Sequence, residues 1–258
     1  MKETLAGRWR RVRGRCAQAG GLLLAFALMG LTAACSREPS EKKLRTQATS
    51  PLAESRRAEE EHKIRALIER LTAVEGLEHV LTRFTDSCAR PDNGSIFENN
   101  RSPYVLTCGM KAVAYFGVRG SITDVLPRIR AAGIATWGTQ DGKGRDLPHA
   151  GGTVSYALDY HRKRGRNPDG SLMAAPTLTA PGLRIDWDRP DLPFPNQVED
   201  PAPCPPAETG IYQRCSTVPK TPMSMAAARA RYGTLLTFTL GGRWDSSAEN
   251  YFTVPRRK

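Results

Sequence analysis

The sequence predicts an α+β protein with a mostly antiparallel sheet, an N-terminal amphipathic helix, short additional helices and two local disulfides. Apolar residues recur every three or four positions between residues 55 and 77, several later segments alternate apolar and polar residues, and four downstream cysteines form two short intervals. The 258 residues are 40% hydrophobic, 7% aromatic and 25% charged. This composition fits one globular domain and excludes both a multi-spanning membrane protein and a wholly disordered chain.

The first 34 residues have the order of an export signal. Five arginines between Arg8 and Arg15 precede a charge-free apolar stretch, Gly20–Ala34. The following cysteine, Cys35, comes directly after small residues and before a polar segment, which resembles a bacterial lipoprotein signal. Thr32 departs from that pattern, because such signals carry leucine three residues before the cysteine. The resemblance implies that Cys35 is lipid-modified and becomes the new N-terminus.

Two alternatives to lipidation are an uncleaved signal anchor and ordinary cleavage after Ala34. The cysteine count favours lipidation. Cys16 leaves with the signal, and the remaining chain keeps five cysteines, an odd number for an exported protein. Acylation of Cys35 leaves an even four. We therefore expect a lipid-anchored protein on the extracytoplasmic face of the cell membrane.

The chain that follows the signal is basic. The formal net charge of the whole sequence is +12; residues 1–34 hold six basic residues and one acidic residue, so the rest carries 32 Lys+Arg against 25 Asp+Glu, or +7. This surplus favours anionic headgroups or an anionic envelope polymer as partners, and not nucleic acid. An envelope protein is the other possible partner. The surplus could equally reflect composition alone.

Residues 35–54 are polar and predict a flexible tether with a reach of about 23 Å. Residues 55–258 form the single predicted domain.

The first element of that domain is a helix between Ser55 and Leu77. Its apolar stripe covers about two heptads, too short for a coiled coil, so we expect it to dock on its own domain. Val80–Cys88 and Tyr104–Val118 have strand character and predict an antiparallel pair that closes the loop at 90–101.

The rest of the chain predicts short elements separated by turns. Helices are expected at Thr123–Gly133 and Ser224–Tyr232, and an extended proline-rich connection at Pro190–Pro206. Strands are expected at Ile134–Trp137, Val154–Tyr160, Leu183–Trp187, Thr234–Leu240 and Tyr251–Val254.

Outside the cytoplasm, the four remaining cysteines are best interpreted as disulfides. Three connectivities are open, and the intervals of 20 and 11 residues favour the local pairs Cys88–Cys108 and Cys204–Cys215. A zinc site built from all four is the alternative, but the sequence has no Cys-x2-Cys pair. The sequence predicts no metal site and no cofactor.

One group of residues suggests a ligand site. Asp186 and Asp188 project from the same face of a predicted strand, opposite Trp187, and paired carboxylates beside an aromatic ring suit sugar binding or acid/base chemistry. The alternative is a solvent-facing polar stripe with salt bridges to Arg184 or Arg189. A separate hypothesis is a small-ligand pocket near three aromatic residues on predicted strands: Trp137, Tyr156 and Trp187.

Three segments, Tyr115–Val118, Thr123–Gly133 and Leu183–Trp187, together with the two disulfide intervals, resemble uncharacterised cell-envelope lipoproteins of actinobacteria. The resemblance implies the location and brings no catalytic residue. We expect a non-catalytic envelope protein that binds another envelope component. The alternative function is an extracytoplasmic hydrolase that acts on carbohydrate or wall polymer through Asp186 and Asp188.

Overall fold

The computed structural model describes residues 38–91, 102–138, 141–143, 145, 147, 151–206, 210–241 and 250–256. These residues form five helices and one seven-stranded antiparallel sheet, which confirms the predicted α+β class. In chain order the elements are α1 (Glu41–Ala48), α2 (Pro51–Thr72), β1 (Leu77–Ala89), β2 (Tyr104–Val118), α3 (Ile122–Ala131), α4 (Val154–Arg162), β3 (Leu178–Ala180), β4 (Leu183–Trp187), β5 (Tyr212–Val218), α5 (Met225–Tyr232), β6 (Thr234–Gly241) and β7 (Phe252–Pro255). Within the described segments, no helix is both long enough and apolar enough to span a bilayer.

Strand β2 is at the centre of the sheet. The strand order is β3-β4-β6-β2-β1-β5, and β7 pairs with the start of β2 beyond the end of β6. Cys88 on β1 lies directly opposite Cys108 on β2, and a disulfide joins them. A second disulfide joins Cys204 to Cys215 on β5. Both predicted pairings are therefore confirmed.

The first face of the sheet carries the main hydrophobic core. Alternate residues of β2 point to this face, from Met110 to Val118, and α2, α3 and α4 cover them. Two helices supply isoleucine and leucine side chains at helical spacing, and β4 supplies the alternate residues Leu183, Ile185 and Trp187. The period-2 pattern of the strands and the apolar stripe of α2 thus meet in one core.

The second face of the sheet is covered over only part of its area. The apolar cluster there consists of Val80, Leu81, Tyr115, Val198, Met225, Ala228 and Leu235. Helix α5 and the proline-rich segment after β4 supply the covering residues. The remaining part of this face carries polar side chains and forms the floor of the groove described below.

The segment expected to be a flexible tether is helical from Glu41 onward. Ser40 and Ser50 cap α1 and α2, accepting hydrogen bonds from Lys43 N and Ala53 N. Leu44 and Ala48 in α1 are buried against the Cys88–Cys108 disulfide and its neighbours. Burial of these two apolar residues, four positions apart, and the Ser40 cap stabilise the short helix, although the composition of the segment is polar.

An ion pair fastens α2 to the sheet. The Arg57 Nε atom lies 2.6 Å from Asp86 Oδ2 on β1, and both side chains are buried. The Tyr251 hydroxyl donates to Asp86 Oδ1 at 2.6 Å, and Arg57 donates to the Ala48 carbonyl oxygen at 2.9 Å. Burial and the hydrogen bond to Asp86 raise the pKa of Tyr251, so its hydroxyl stays a donor.

The prediction of a strand at Val154–Tyr160 is wrong, because these residues belong to helix α4. Thr153 accepts a hydrogen bond from Tyr156 N and starts the helix, and Val154, Ala157 and Tyr160 form its buried stripe. Val154 and Tyr160 also belong to the alternating set with Tyr156 and Leu158 that predicted a strand. Ile134–Trp137 is likewise not a strand. The sequence reading also missed two strands, β3 and β5.

Candidate binding groove on the second face of the sheet

The groove is floored by residues that lie side by side on neighbouring antiparallel strands. In one row Arg184 on β4 is opposite Thr239 on β6, which is opposite Val113 on β2. The next row joins Asp186, Thr237 and Tyr115 in the same way. Adjacent strands are about 4.8 Å apart, so each row spans about 10 Å. Lys111 precedes Val113 by two residues and lies on the same face.

The opposite wall of the groove comes from the segment 196–202, which crosses this face of the sheet. The space between wall and floor has a volume of about 450 Å³. The lining residues are Lys111, Val113, Tyr115, Arg184, Asp186, Asn196, Gln197, Val198, Glu199, Asp200, Ala202, Thr237 and Thr239. Hydroxyl, amide, ammonium, guanidinium and carboxylate groups all reach this space, as in a site for a polar ligand.

Asp186 lines the groove and supports its wall. Its Oδ1 atom accepts hydrogen bonds from Asn196 Nδ2 at 3.0 Å and from Arg189 Nη1 at 3.4 Å. Asn196 also donates to the Trp187 carbonyl oxygen at 2.7 Å. The predicted salt bridge with Arg189 is therefore present, and Asp186 is only partly exposed. The carboxylate connects the floor of the groove to the start of the wall.

Asp188 is buried and does not line the groove, so the expectation of a solvent-facing carboxylate is wrong at this position. It accepts hydrogen bonds from Val198 N at 2.7 Å, Leu235 N at 3.0 Å and Arg229 Nε at 3.3 Å. Arg229 also donates to the Val198 carbonyl oxygen. Asp188 follows the last residue of β4, where the chain no longer alternates, and it turns inward to hold the wall against β6.

The carboxylates of Asp186 and Asp188 line two different cavities. Asp188 lines a second hollow of about 440 Å³ with Arg229 and Pro195, whereas Asp186 lines the groove. Since Asp188 already accepts two backbone amides and a guanidinium, its carboxylate is fixed as a structural acceptor. Both carboxylates hold the wall segment in place: Asp186 binds Asn196, and Asp188 binds Val198.

The three aromatic candidates do not form a common pocket. Trp137 and Trp187 are fully buried in the core on the first face. Trp187 Nε1 donates to His161 Nε2 at 3.0 Å, and the Tyr156 hydroxyl donates to the Ala174 carbonyl oxygen at 2.8 Å. The aromatic side chains therefore stabilise the core and its edge. Cys35, the predicted lipid attachment residue, lies outside the described residues.

Some charged residues of the groove form ion pairs and others do not. Asp186 is held by Arg189, and Asp200 lies 3.6 Å from Arg229, which stands outside the groove. Lys111 and Arg184 on the floor are exposed, and neither has an ion-pair partner within the part of the chain that the structure describes. The floor therefore offers two cations to a ligand, while Glu199 on the wall offers a carboxylate that likewise has no ion-pair partner among the described residues.

Tyr115 on the groove floor stays neutral, because burial raises the pKa of its hydroxyl. Arg83 lowers this pKa, and the carboxylates of Asp200 and Glu199 raise it.

The sequence analysis missed the groove residues on β2 and β6. Lys111, Val113 and Tyr115 alternate with the core residues of β2, and Thr237 and Thr239 do the same on β6. This alternation could have shown a polar face on two neighbouring strands. The wall at 196–202 had no such signal, because its position depends on hydrogen bonds to residues distant in the sequence.

Comparisons with known proteins give no family. No protein-family model, no curated protein and no solved structure matches this chain significantly. The site must therefore be interpreted from its own geometry.

Proposed function

We propose that this protein is a non-catalytic, lipid-anchored binding protein of the cell envelope, and that its groove holds an anionic, hydroxyl-rich envelope polymer. The observation that carries the proposal is the pair of cations, Lys111 and Arg184, on a floor that also presents threonine hydroxyls. The export signal and Cys35 support the location.

The chemistry of the groove favours an anionic polymer over a small apolar ligand. Thr239 offers a hydroxyl that donates or accepts, and Gln197 on the wall offers an amide group. The Thr237 hydroxyl donates to the Asp186 carbonyl oxygen, and Asn196 donates to Asp186 and Trp187, so both present acceptor oxygens to a ligand. The cations lie on the floor, and Glu199 on the wall accepts hydrogen bonds from ligand hydroxyls but repels anionic groups, which favours a ligand with both kinds of group.

The test is a binding measurement with the isolated anionic wall-polymer fraction. The double variant Lys111→Gln, Arg184→Gln should bind at least tenfold more weakly, because each charge-assisted hydrogen bond contributes about 1.5–3 kcal/mol. The matched control is Arg162→Gln, Lys163→Gln on the exposed end of α4, which should bind like the wild-type protein. Equal affinity of the wild-type protein and the groove variant would overturn the proposed site.

The anchor has a separate test. Intact-mass analysis of the protein from membranes should show an acylated N-terminus at Cys35, and Cys35→Ala should abolish membrane retention, since acyl chains supply the partitioning free energy. An unmodified mature chain in the medium would contradict the lipid anchor and leave the groove proposal to its own test.

A further inference from the structure

We infer that one end of the sheet is a surface for anionic lipid headgroups. This surface, here called the basic end, comprises the exposed side of α1 with Lys42, Lys43 and Arg45, and the two arginines Arg90 and Arg256. The inference rests on the proposed lipid anchor at Cys35, and it adds an orientation of the domain on the membrane.

The first described residues are held at the basic end. Arg256, which follows β7, lies 2.9 Å from the Glu38 carboxylate, and Arg90, which follows β1, lies 3.5 Å from it. Arg90 also donates to the Pro39 carbonyl oxygen at 2.7 Å. Since β1 and β7 both end here, the chain joins the domain at one defined end of the sheet.

A lipid on Cys35 would bring this end close to the bilayer. Only Ser36 and Arg37 stand between Cys35 and Glu38 in the sequence, so three Cα–Cα steps of 3.8 Å limit their separation to about 11 Å. The reach is about half of the 23 Å expected for a flexible tether through residue 54. The domain is thus held too close to the membrane for the basic end to avoid the headgroups.

The charge of the basic end suits an anionic membrane. Among the described residues, Glu38 pairs with Arg90 and Arg256, and Glu41 pairs with Arg45, so these two carboxylates stand against five cations. Lys42 and Lys43 are exposed and have no ion-pair partner among the residues described. A cationic surface beside an acylated residue attracts acidic headgroups within a Debye length.

An exposed apolar residue follows α1 in the chain. Leu52, in the first turn of α2 directly after α1, is 60% exposed and is the most exposed large hydrophobic residue of the described chain. Interfacial contacts combine basic residues with apolar side chains that enter the headgroup region, and Leu52 is exposed enough to do so.

This orientation keeps the binding groove away from the bilayer. Tyr104 starts β2 at the basic end, beside Pro255 of β7, and Lys111 is seven residues further along the strand. At about 3.3 Å per residue, the near edge of the groove lies about 23 Å from that end. The groove is thereby presented to the envelope and not to the lipid.

The test uses vesicles and the unacylated chain from Ser36, which retains the compact unit Glu38–Lys258 and all of its hydrophobic clusters. Sedimentation should show binding to phosphatidylcholine vesicles that contain phosphatidylglycerol and not to phosphatidylcholine alone. Lys42→Gln, Lys43→Gln should bind about 25-fold more weakly, since each basic residue near an anionic surface contributes about fivefold. The control Arg162→Gln, Lys163→Gln should bind within about twofold of the wild-type protein.

Equal losses in the two double variants would show general attraction by net charge and would overturn the inference, as would absence of phosphatidylglycerol-dependent binding. Binding that resists high salt would also contradict it, because headgroup attraction is screened. Intact-mass analysis of Cys35 tests the anchor separately, so failure of the anchor and failure of the surface give different results.

Discussion

Asp186 and Asp188 show how two similar residues two positions apart take different environments. Asp186 lies within β4, on the face that the strand pattern predicts, and borders the groove. Asp188 lies just past the strand, where it binds the backbone of the wall at Val198 and of β6 at Leu235. A carboxylate suits this position, because it accepts several N–H groups at once and forms stronger hydrogen bonds than a neutral acceptor.

Replacement of Asp188 tests this positioning role. Asp188→Asn should lower the free energy of unfolding by about 2–3 kcal/mol, because the amide replaces one acceptor oxygen with a donor that faces the same N–H groups. Asp186→Asn, at a half-exposed position, should cost less than about 1 kcal/mol. Urea unfolding of both variants measures the difference. Equal and small effects would show that Asp188 does not fasten the wall.

His161 predicts a pH dependence of stability. Its Nε2 atom accepts from Trp187 Nε1, which is only a donor, so the imidazole is neutral at this nitrogen. Burial, and then the positive charge of Arg189, lower the pKa of His161 below its ordinary 6.5. The unfolded chain therefore takes up a proton first as the pH falls. The contribution of His161 to the free energy of unfolding is fully present above about pH 6.5. It decreases as the pH falls toward the pKa of His161 in the folded protein.

The measurement is the free energy of unfolding of wild-type protein and His161→Gln between neutral and mildly acidic pH. The variant should lose less stability across this window than the wild-type protein. His79, whose pKa burial also lowers, contributes a remaining slope. The control His62→Gln, at an exposed position of α2, should keep the wild-type slope. Identical slopes in all three proteins would contradict the role of His161.

At the scale of elements, the pairing of β1 with β2, the stripe of α2 and the last two strands could be predicted, because each depends on a local period. α4 could not be distinguished from a strand, since Val154 and Tyr160 belong both to its buried stripe and to an alternating set with Tyr156 and Leu158. The cap at Thr153 was the missing signal. The short helix α1 was hidden by its composition, because burial of Leu44 depends on the disulfide-bonded strands it packs against.

The docking of α2 depends on a buried charge pair. Arg57→Met should lower the free energy of unfolding by about 3 kcal/mol, because it leaves the buried Asp86 carboxylate without its main partner. The double variant Arg57→Met, Asp86→Leu should be more stable than the single variant. The neighbouring Arg56, exposed and paired with Glu59, supplies the control, and Arg56→Met should change stability by less than about 0.5 kcal/mol.

Chemical denaturation of the three variants compares these effects directly. A loss in Arg57→Met no larger than in Arg56→Met would mean that apolar packing alone positions α2.

At the scale of the whole molecule, the described chain forms a sheet with a packed face and a partly open face. The packed face follows from the periods in the sequence. The second face is partly open because α5 and Val198 cover only the apolar cluster around Leu81 and Leu235. No local sequence pattern specifies how much of this face is covered. The wall is built by hydrogen bonds that join Asp188 to Val198 and Leu235, residues 10 and 47 positions away. The groove is therefore a product of tertiary structure, while the predicted anchor is a property of the first 35 residues.

The central claim is that the groove binds an envelope polymer while the protein is anchored in its membrane. Its most direct test is a photo-crosslinking side chain placed at Thr239, on the groove floor, and in a second protein at Thr221, an exposed threonine outside the groove. Irradiation of intact cells should attach polymer to the protein labelled at Thr239 and not to the one labelled at Thr221. Polymer on both proteins in equal amounts, or on neither, would contradict the claim.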